Sequence, residues 1–504
     1  MSVEYKELLS STTKHADFRM ERIENAVEIY FRCVMLSHRW EENEPLLHDI
    51  KGKVVYDLNA VGGIAKLQSF CSTTRDAGFR WAWVDTCCID QTNNVEVQES
   101  VNSMFVWYRQ AALTIIYLSD VSPSSESGAL AKSVWNKRGW TVQEFLAPKV
   151  VLFYQKDWTL YLNDCSPNHK YSAAIMREMG DTTGIDSQAL VAFHPGMSDA
   201  REKLRWASMR VTTLQEDIAY SLFGIFGINL PVIYGEKKQN ALGRLLQEIV
   251  AQSGDISCLD WIGTSSAFNS CLPASISSYG APASALLSQL SEDEMQKSVS
   301  SLQRTDAVEW ASQLYTKLDR LSAPRFAHRR LHLPCLIFSV TEVTQRHGHE
   351  QDTYFTYEIK VDGLHDILIT TKDKLIPLSR VMHIRQKLLL VRPWDRILLE
   401  LHEPSQFADD AQSIMSEDYQ TPPSSPAFDP SDMGGKENAL FDSESDSQAL
   451  RLIVLLGQSF GGLLLAQQLS GEYKRIAADH EIIAQVEDIA SVHDMMDIRT
   501  LEIL

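Results

Sequence analysis

Short apolar runs alternate with stretches of helical periodicity through the first 160 residues. "CVMLS" (33–37) reads as a buried strand. "IAKLQSFCSTTRDAG" then sets Ile64, Leu67 and Cys71 on one helical face. "RWAWVDTCCI" reads as a second strand, and Val97, Val101, Met104 and Tyr108 recur at the 4-3-4 spacing of a helix. "ALTIIYL" predicts a third strand. A serine-rich loop, a helix in "RGWTVQEFLAP" and a fourth strand in "KVVLFY" follow. Strands separated by helices make right-handed crossovers, so this order predicts a doubly wound, mostly parallel α/β sheet with helices on both faces. Ligands on such sheets bind outside the carboxyl ends of the strands.

Beyond this region the periodicity changes. Residues 198–252 read as helical, with Leu204, Val211, Leu214, Ile218 and Leu222 as one buried stripe and a second helix in "NALGRLLQEIVAQSGD". The Ser/Ala/Leu-rich stretch up to 323 reads as a helical connector. From "HLPCLIFSVTEV" onward, short alternating strands and Gly-containing turns predict a β-rich domain. Residues 404–447 combine acids, serine and proline with little to bury and are expected to be a disordered acidic loop within that domain. "LRLIVLLG" and the segments after it read as its returning strands. The expected division is 1–165, 166–262, 263–323 and 324–504.

At 504 residues the chain is too long for one core, and 44% hydrophobic against 22% charged residues is the balance of a soluble globular protein. No apolar run reaches the length of a membrane span, and the N-terminal stretch has no signal-peptide core. Eight cysteines without a C-x-x-C pair argue against a zinc module or a disulfide framework, so a reducing, cytoplasmic setting is expected and no metal site. The formal charge of −19 repels nucleic acid and anionic membranes. Ten of the acids and a single lysine fall between Pro404 and Ser447, and no basic stripe appears elsewhere.

Candidate chemistry concentrates at the predicted strand ends. In "RGWTVQEFLAP", Trp140 and Glu144 stand one helical turn apart and share a face. Gly139 costs that helix about 1 kcal/mol against alanine, and Pro148 stops it near Leu146 or Ala147. The arrangement suits a shelf for a flat ligand, or ordinary packing beside one solvated acid at a cleft mouth. "LSHRW" ends the first strand with Ser37, His38, Arg39 and Trp40, which suits a phosphate-bearing aromatic ligand or a loop anchored by its indole. Asp85 and Asp90 bracket the end of the second strand, as ligand or metal groups or as helix caps. The adjacent Cys87 and Cys88 read as strand residues facing opposite sides, packed in a core. "GQSFGG" fits the G-x-S-x-G elbow of serine hydrolases around Ser459, but the run after it reads as a strand where the elbow needs a helix. The hydrolase reading is rejected.

"CVMLSHRW", "RWAWVDTCCIDQ", "ALTIIYLSD" and "RGWTVQEFLAPKVVLFYQKDW", in that order, resemble the fungal heterokaryon incompatibility (HET) domain, and "QEDIAYSLFGIFGINLPVIYGE" resembles the segment that often follows it. The resemblance covers about residues 33–260. "LSHRW" departs from it, carrying histidine and arginine where the family usually has tyrosine and cysteine. HET domains are similar to the Toll/interleukin-1 receptor (TIR) fold, which implies a TIR-like sheet here. In TIR proteins that cleave NAD, a glutamate follows a small or thiol residue by three positions on the last helix, within a tryptophan-containing motif. "GWTVQE" places Trp140, Thr141 and Glu144 correspondingly. The resemblance therefore implies Glu144 as catalytic acid, with Ser37, Arg39, Trp40, Asp85 and Trp140 around NAD as substrate. It implies no required cofactor, and protein partners or self-association through the HET domain. Two readings stand: an NAD-cleaving effector of cell death, or a non-catalytic recognition and signalling module of the incompatibility or innate-immunity type.

Overall fold

In the computed structural model of the chain, the described residues are 27–282, 290–303, 307–346, 353–375, 387–400, 437–487 and 497–504. Backbone contacts divide the chain into two compact units. The first comprises Met1–Ser253 and Pro273–Pro282, and the second Gly254–Leu272 and Ala283–Leu504.

The first unit is built on four parallel strands: β1 (Cys33–His38), β2 (Trp81–Trp83), β3 (Leu113–Tyr117) and β4 (Val151–Tyr154). Their spatial order is β2-β1-β3-β4, so the winding reverses between β1 and β3. Helices α1 (Gly63–Asp76), α2 (Asp85–Cys88), α3 (Asn94–Gln110) and α4 (Thr141–Leu146) connect them. Alternation along β1 assigns its two faces. Val34 and Leu36 join Leu67 and Phe70 of α1 in one core with Leu113 and Ile115, whereas Ser37 faces α4. With both faces covered, β1 is nearly all buried, which is why it reads as an unbroken apolar run.

The expected second strand is cut short. β2 ends at Trp83, opposite Met35, and residues 85–88 turn into a helix instead. Past the end of its pairing an edge strand has no ladder for its backbone groups; here the Cys88 amide bonds back to the Val84 carbonyl at 2.9 Å. Cys87 is therefore buried and Cys88 exposed on a helical turn, not on opposite faces of a strand. Asp90 is not aimed at a site either: it accepts from the Thr92 amide and hydroxyl in a surface turn before α3, whose N-cap is Asn93.

Helices α5 (Ala173–Thr183), α6 (Ala200–Ala207), α7 (Asp217–Tyr220) and α8 (Lys238–Ser253) are among those that follow in this unit. The expected stripe breaks between α6 and α7: Leu204, Ile218 and Leu222 are buried, but Val211 and Leu214 are exposed. Residues 208–214 leave the helix so that Val211 can bridge to Arg138.

In the second unit, α9 (Glu292–Leu302) and α10 (Ala307–Asp319) are packed core elements, since Val299, Leu314 and Leu318 join the same cluster as the sheet. The sheet includes β5 (Arg330–Arg346), with the short strand Arg325–Ala327 paired to its start, β6 (Phe355–Val361), β7 (Ile367–Thr371), β8 (Leu388–Pro393), β9 (Leu463–Gln467), β10 (Tyr473–Ile476) and β11 (Asp497–Ile503). β11 pairs with β10 and with β5, so β5, β8, β9, β10 and β11 close into a ring in which each of these five strands has a neighbour on both sides. The far half of β5 carries β6 and β7 beyond that ring.

The expected acidic loop lies outside the described residues up to 436, and helix α11 (Glu437–Leu456) follows. "LRLIVLLG" is the end of this helix and not a strand. Its residues Leu450, Leu452, Ile453, Val454 and Leu456 are all buried and only Arg451 and Leu455 between them are half-buried, so this short stretch carries too narrow a polar stripe to reveal its period. Ser459 thus follows a helix and precedes strand β9, the reverse of a nucleophile elbow. Among the described residues no helix is long and apolar enough to cross a membrane.

Candidate functional site

A cavity of about 710 Å³ lies at the carboxyl end of β1, beside the point where the strand order reverses. Glu144 reaches it from α4. The carboxyl group is not at a cleft mouth: the residue is 5% exposed, and Oε2 accepts a 2.5 Å hydrogen bond from the Ser37 hydroxyl. Trp135 sets the direction of that bond. Its indole can only donate, and it donates to Ser37 Oγ at 2.8 Å, which leaves the single Ser37 proton for Glu144. Ser37 is fully buried and does not line the cavity; it supports the acid from behind.

Burial pushes the Glu144 carboxyl up to about 8, and the nearby Asp85 charge adds to the rise. The Ser37 hydrogen bond and the charges of Arg138 and Arg210 oppose it. Arg210 is itself buried, donating to Thr141 Oγ1 and the Arg138 carbonyl at 3.0 Å each.

The loop after β1 forms a second part of the site. Asp85 accepts from the Trp40 indole at 2.7 Å and lies 3.1 Å from His38 Nε2, so one carboxylate fixes two residues of "LSHRW". Burial raises this carboxyl, but the hydrogen bond and charge of His38, the Trp40 indole and the Thr86 amide hold it below its ordinary value. Behind His38, Glu44 is ion-paired with the buried Lys66. Arg39 is exposed and lines the cavity.

Gly139 precedes α4; it does not sit inside a helix. Its amide bonds to the Val211 carbonyl at 2.9 Å, and a Cβ there would stand 2.5 Å from the Thr212 side chain. The glycine lets the 211–221 segment close over the helix start. This brings in Asp217, which accepts from the Trp140 indole at 3.1 Å and lines the same cavity. Burial pushes the Asp217 carboxyl up to about 6, against the opposing hydrogen bond from Trp140.

The structure thus gathers Arg39, Trp40, Asp85, Trp140 and Glu144 around one cavity, with Ser37 beneath it. Asp217, Arg138, Trp135 and Tyr234 were given no role from the sequence. Asp217 stands in the quoted "QEDIAYSLFGIF", but no spacing rule connects that segment to a strand end. Asp217→Asn offers a direct check. The folded-state pKa lies above its ordinary 3.8, so this group's contribution to stability is complete below 3.8 and declines as pH rises towards about 6. The asparagine variant is expected to match wild type in Tm near pH 4 and to exceed it at pH 7.5; an equal deficit at both values would count against a buried, uncompensated carboxyl.

Residues 34–132 match the family described as "Heterokaryon incompatibility protein (HET)". That matched stretch lies within the first unit. The chain is also 39% identical over 238 residues to the vegetative incompatibility protein HET-E-1 of Podospora anserina, a match covering 45% of this chain and 16% of that protein. It therefore spans under a fifth of that curated relative's length. No solved structure matches the chain. The family match to the HET domain ends at residue 132, ahead of the helix bearing Glu144, so it covers Asp85 and the "LSHRW" loop but not the acid itself. Among the described residues, no group of three or more histidine, cysteine or acidic side chains is placed to hold a metal ion.

Proposed function

We propose that the cavity of the HET domain binds NAD and that Glu144 promotes cleavage of its nicotinamide–ribose bond, as the enzymatic step of an incompatibility effector leading to cell death. The observation carrying this reading is the Glu144 carboxyl, buried, oriented by Ser37 and Trp135, and placed on a cavity walled by indoles and arginines. A TIR-like relationship of the sheet belongs to the same proposal; its support is the parallel β2-β1-β3-β4 order.

The chemistry needs little more than that group. Nicotinamide in NAD is cationic and departs neutral once the C–N bond breaks, taking the bonding electrons, so no general acid is required. The ribose left behind is oxocarbenium-like, as in glycoside hydrolysis, and a carboxylate beside it offsets the growing positive charge. Water adds to the anomeric carbon and loses a proton, giving ADP-ribose. No cofactor enters this scheme. Trp40 and Trp140 offer ring faces for the bases, and Arg39 and Arg138 offer fork-shaped donors for the pyrophosphate.

Glu144 must be ionised to act, yet burial holds its proton up to about pH 8. The expected result is a kcat/KM for nicotinamide release that climbs about tenfold per pH unit on the acid side and levels off near 8. A profile flat between pH 6 and 9 would remove Glu144 ionisation from the rate-determining chemistry. The alternative, a recognition and signalling module acting through protein partners or self-association, predicts no nicotinamide release at any pH and at any protein concentration.

A further inference from the structure

The 211–221 segment brings a further carboxyl, Asp217, to the cavity that holds Glu144. Resting on the NAD reading of that cavity, we propose that Asp217, Trp140 and Tyr234 form the subsite for the leaving base. Asp217 there selects a pyridinium ring bearing a carboxamide over one bearing a carboxylate.

Asp217 is 8% exposed, and its two oxygens differ. Oδ2 accepts from the Trp140 indole at 3.1 Å. Oδ1 is buried and, among the described residues, accepts no hydrogen bond. The Tyr234 hydroxyl is near enough to hold the carboxyl down without closing a bond to Oδ1, and the Arg138 charge acts in the same direction. Together these neighbours do not offset desolvation. Burial, reinforced by the Glu216 charge, leaves the carboxyl at about 6, above its ordinary 3.8. At neutral pH the group is still ionised, so the fold buries a charge that its own donors under-compensate. An ionised carboxylate has acceptor sites on both oxygens, and a buried one left unused is costly. Such a group, retained at a cost in stability that asparagine would relieve, fits a role in binding.

The surroundings define the donor that fits Oδ1. Trp140 is half-buried on the cavity wall, and its indole N–H is tied to Asp217, which fixes the ring beside the carboxylate. An indole face next to an anion suits a flat cation, which both attract. A cationic ring that also offers an N–H is a carbamoylpyridinium, the leaving group of NAD. A carboxylate on the same ring would meet Asp217 as a like charge with no proton to donate. Burial also pushes the Tyr234 hydroxyl up, so it stays a neutral donor that can turn to the amide oxygen. The spacing agrees. The Glu144 amide bonds to the Trp140 carbonyl at 3.4 Å, one helical turn, which sets their Cβ atoms roughly 5–6 Å apart. A ring stacked on Trp140 spans that separation, with its amide on Asp217 and its glycosidic bond towards Glu144.

The test measures dinucleotide binding by calorimetry at neutral pH on the full chain carrying Glu144→Gln, which keeps the ligands intact. NAD is expected to bind roughly tenfold or more tighter than nicotinic acid adenine dinucleotide, the usual scale for one hydrogen bond to a charged group. Adding Asp217→Asn should abolish or reverse that preference, since the new amide can donate to the carboxylate; a merely structural Asp217 would shift both affinities alike. Nicotinamide hypoxanthine dinucleotide, which lacks only the adenine amine, should bind like NAD. A loss confined to that analogue would place adenine on Asp217 and overturn the assignment. Binding of NAD without discrimination against the carboxylate, or discrimination that survives Asp217→Asn, overturns the subsite and leaves the NAD reading standing. No binding of any dinucleotide, here or to the unaltered chain, overturns both. The first comparison needs no change at Asp217, so it remains decisive if the double variant folds poorly.

Discussion

Glu144→Gln is expected to lower nicotinamide release by ~10²–10³-fold, the usual cost of removing one preorganised electrostatic stabiliser from a transition state. Glutamine preserves the size and can still accept the Ser37 proton, so the loss isolates the charge. The same substitution should leave the fold intact and, above neutrality, strengthen it. Glu144 holds its proton more tightly in the folded chain, up to about 8 against an ordinary 4.5. Its contribution to stability is thus complete below 4.5 and is lost as pH rises towards 8. Glutamine mimics the protonated form at every pH. The variant should therefore match wild type in Tm near pH 4.5 and exceed it near pH 8.5. Nicotinamide release, Tm at both values and circular dichroism check the three parts separately. Full activity in the variant would take Glu144 out of the mechanism, and a lower Tm at pH 8.5 would contradict its buried, proton-retaining state.

Gly139→Ala should destabilise the first unit by about 1–3 kcal/mol, the range for forcing extra atoms into a packed site. For a unit of this size each kcal/mol lowers Tm by roughly 2–4 °C. On helix propensity alone, alanine would be favoured over glycine. The sign reverses because a Cβ at 139 would overlap Thr212 Cγ2 and press on Ser221 Oγ, displacing the segment that delivers Asp217 to Trp140. Adding Thr212→Ser, which removes the overlapping methyl but keeps the hydroxyl bonded to the Leu214 carbonyl, should restore much of the loss. Thermal unfolding of the single and double variants measures both effects; a stabilised single variant would show that the close approach does not constrain this position.

The alternation of buried strands with periodic helices made the parallel sheet readable from the chain, because side-chain periods of 2 and 3.6 are local consequences of backbone geometry. Helix α1, helix α3 and strands β1, β3 and β4 all form where their apolar spacing places them. The readings that failed were those in which local pattern carried too little information. "LRLIVLLG" is apolar apart from Arg451, so it shows too little of the period that separates a covered helix from a strand. "VDTCC" has strand composition, yet it lies beyond the end of β2 pairing, and pairing is a property of β1.

Sequence alone therefore determined the class of the first unit, the strand ends that carry polar groups, and the turn-spaced pair Trp140 and Glu144. Tertiary structure decided what those groups do. Only packing buries Glu144, sets Trp135 and Ser37 behind it, and raises its proton affinity; desolvation depends on neighbours distant in the chain, and Ser37 is 107 residues away. Only the approach of residues 211–221 explains Gly139 and adds Asp217 to the cavity. Asp217 and Glu144 lie on separate helices, with no shared motif to mark them. Charges placed by tertiary packing can converge on one cavity without any signal in linear spacing, and that convergence is what folding contributes.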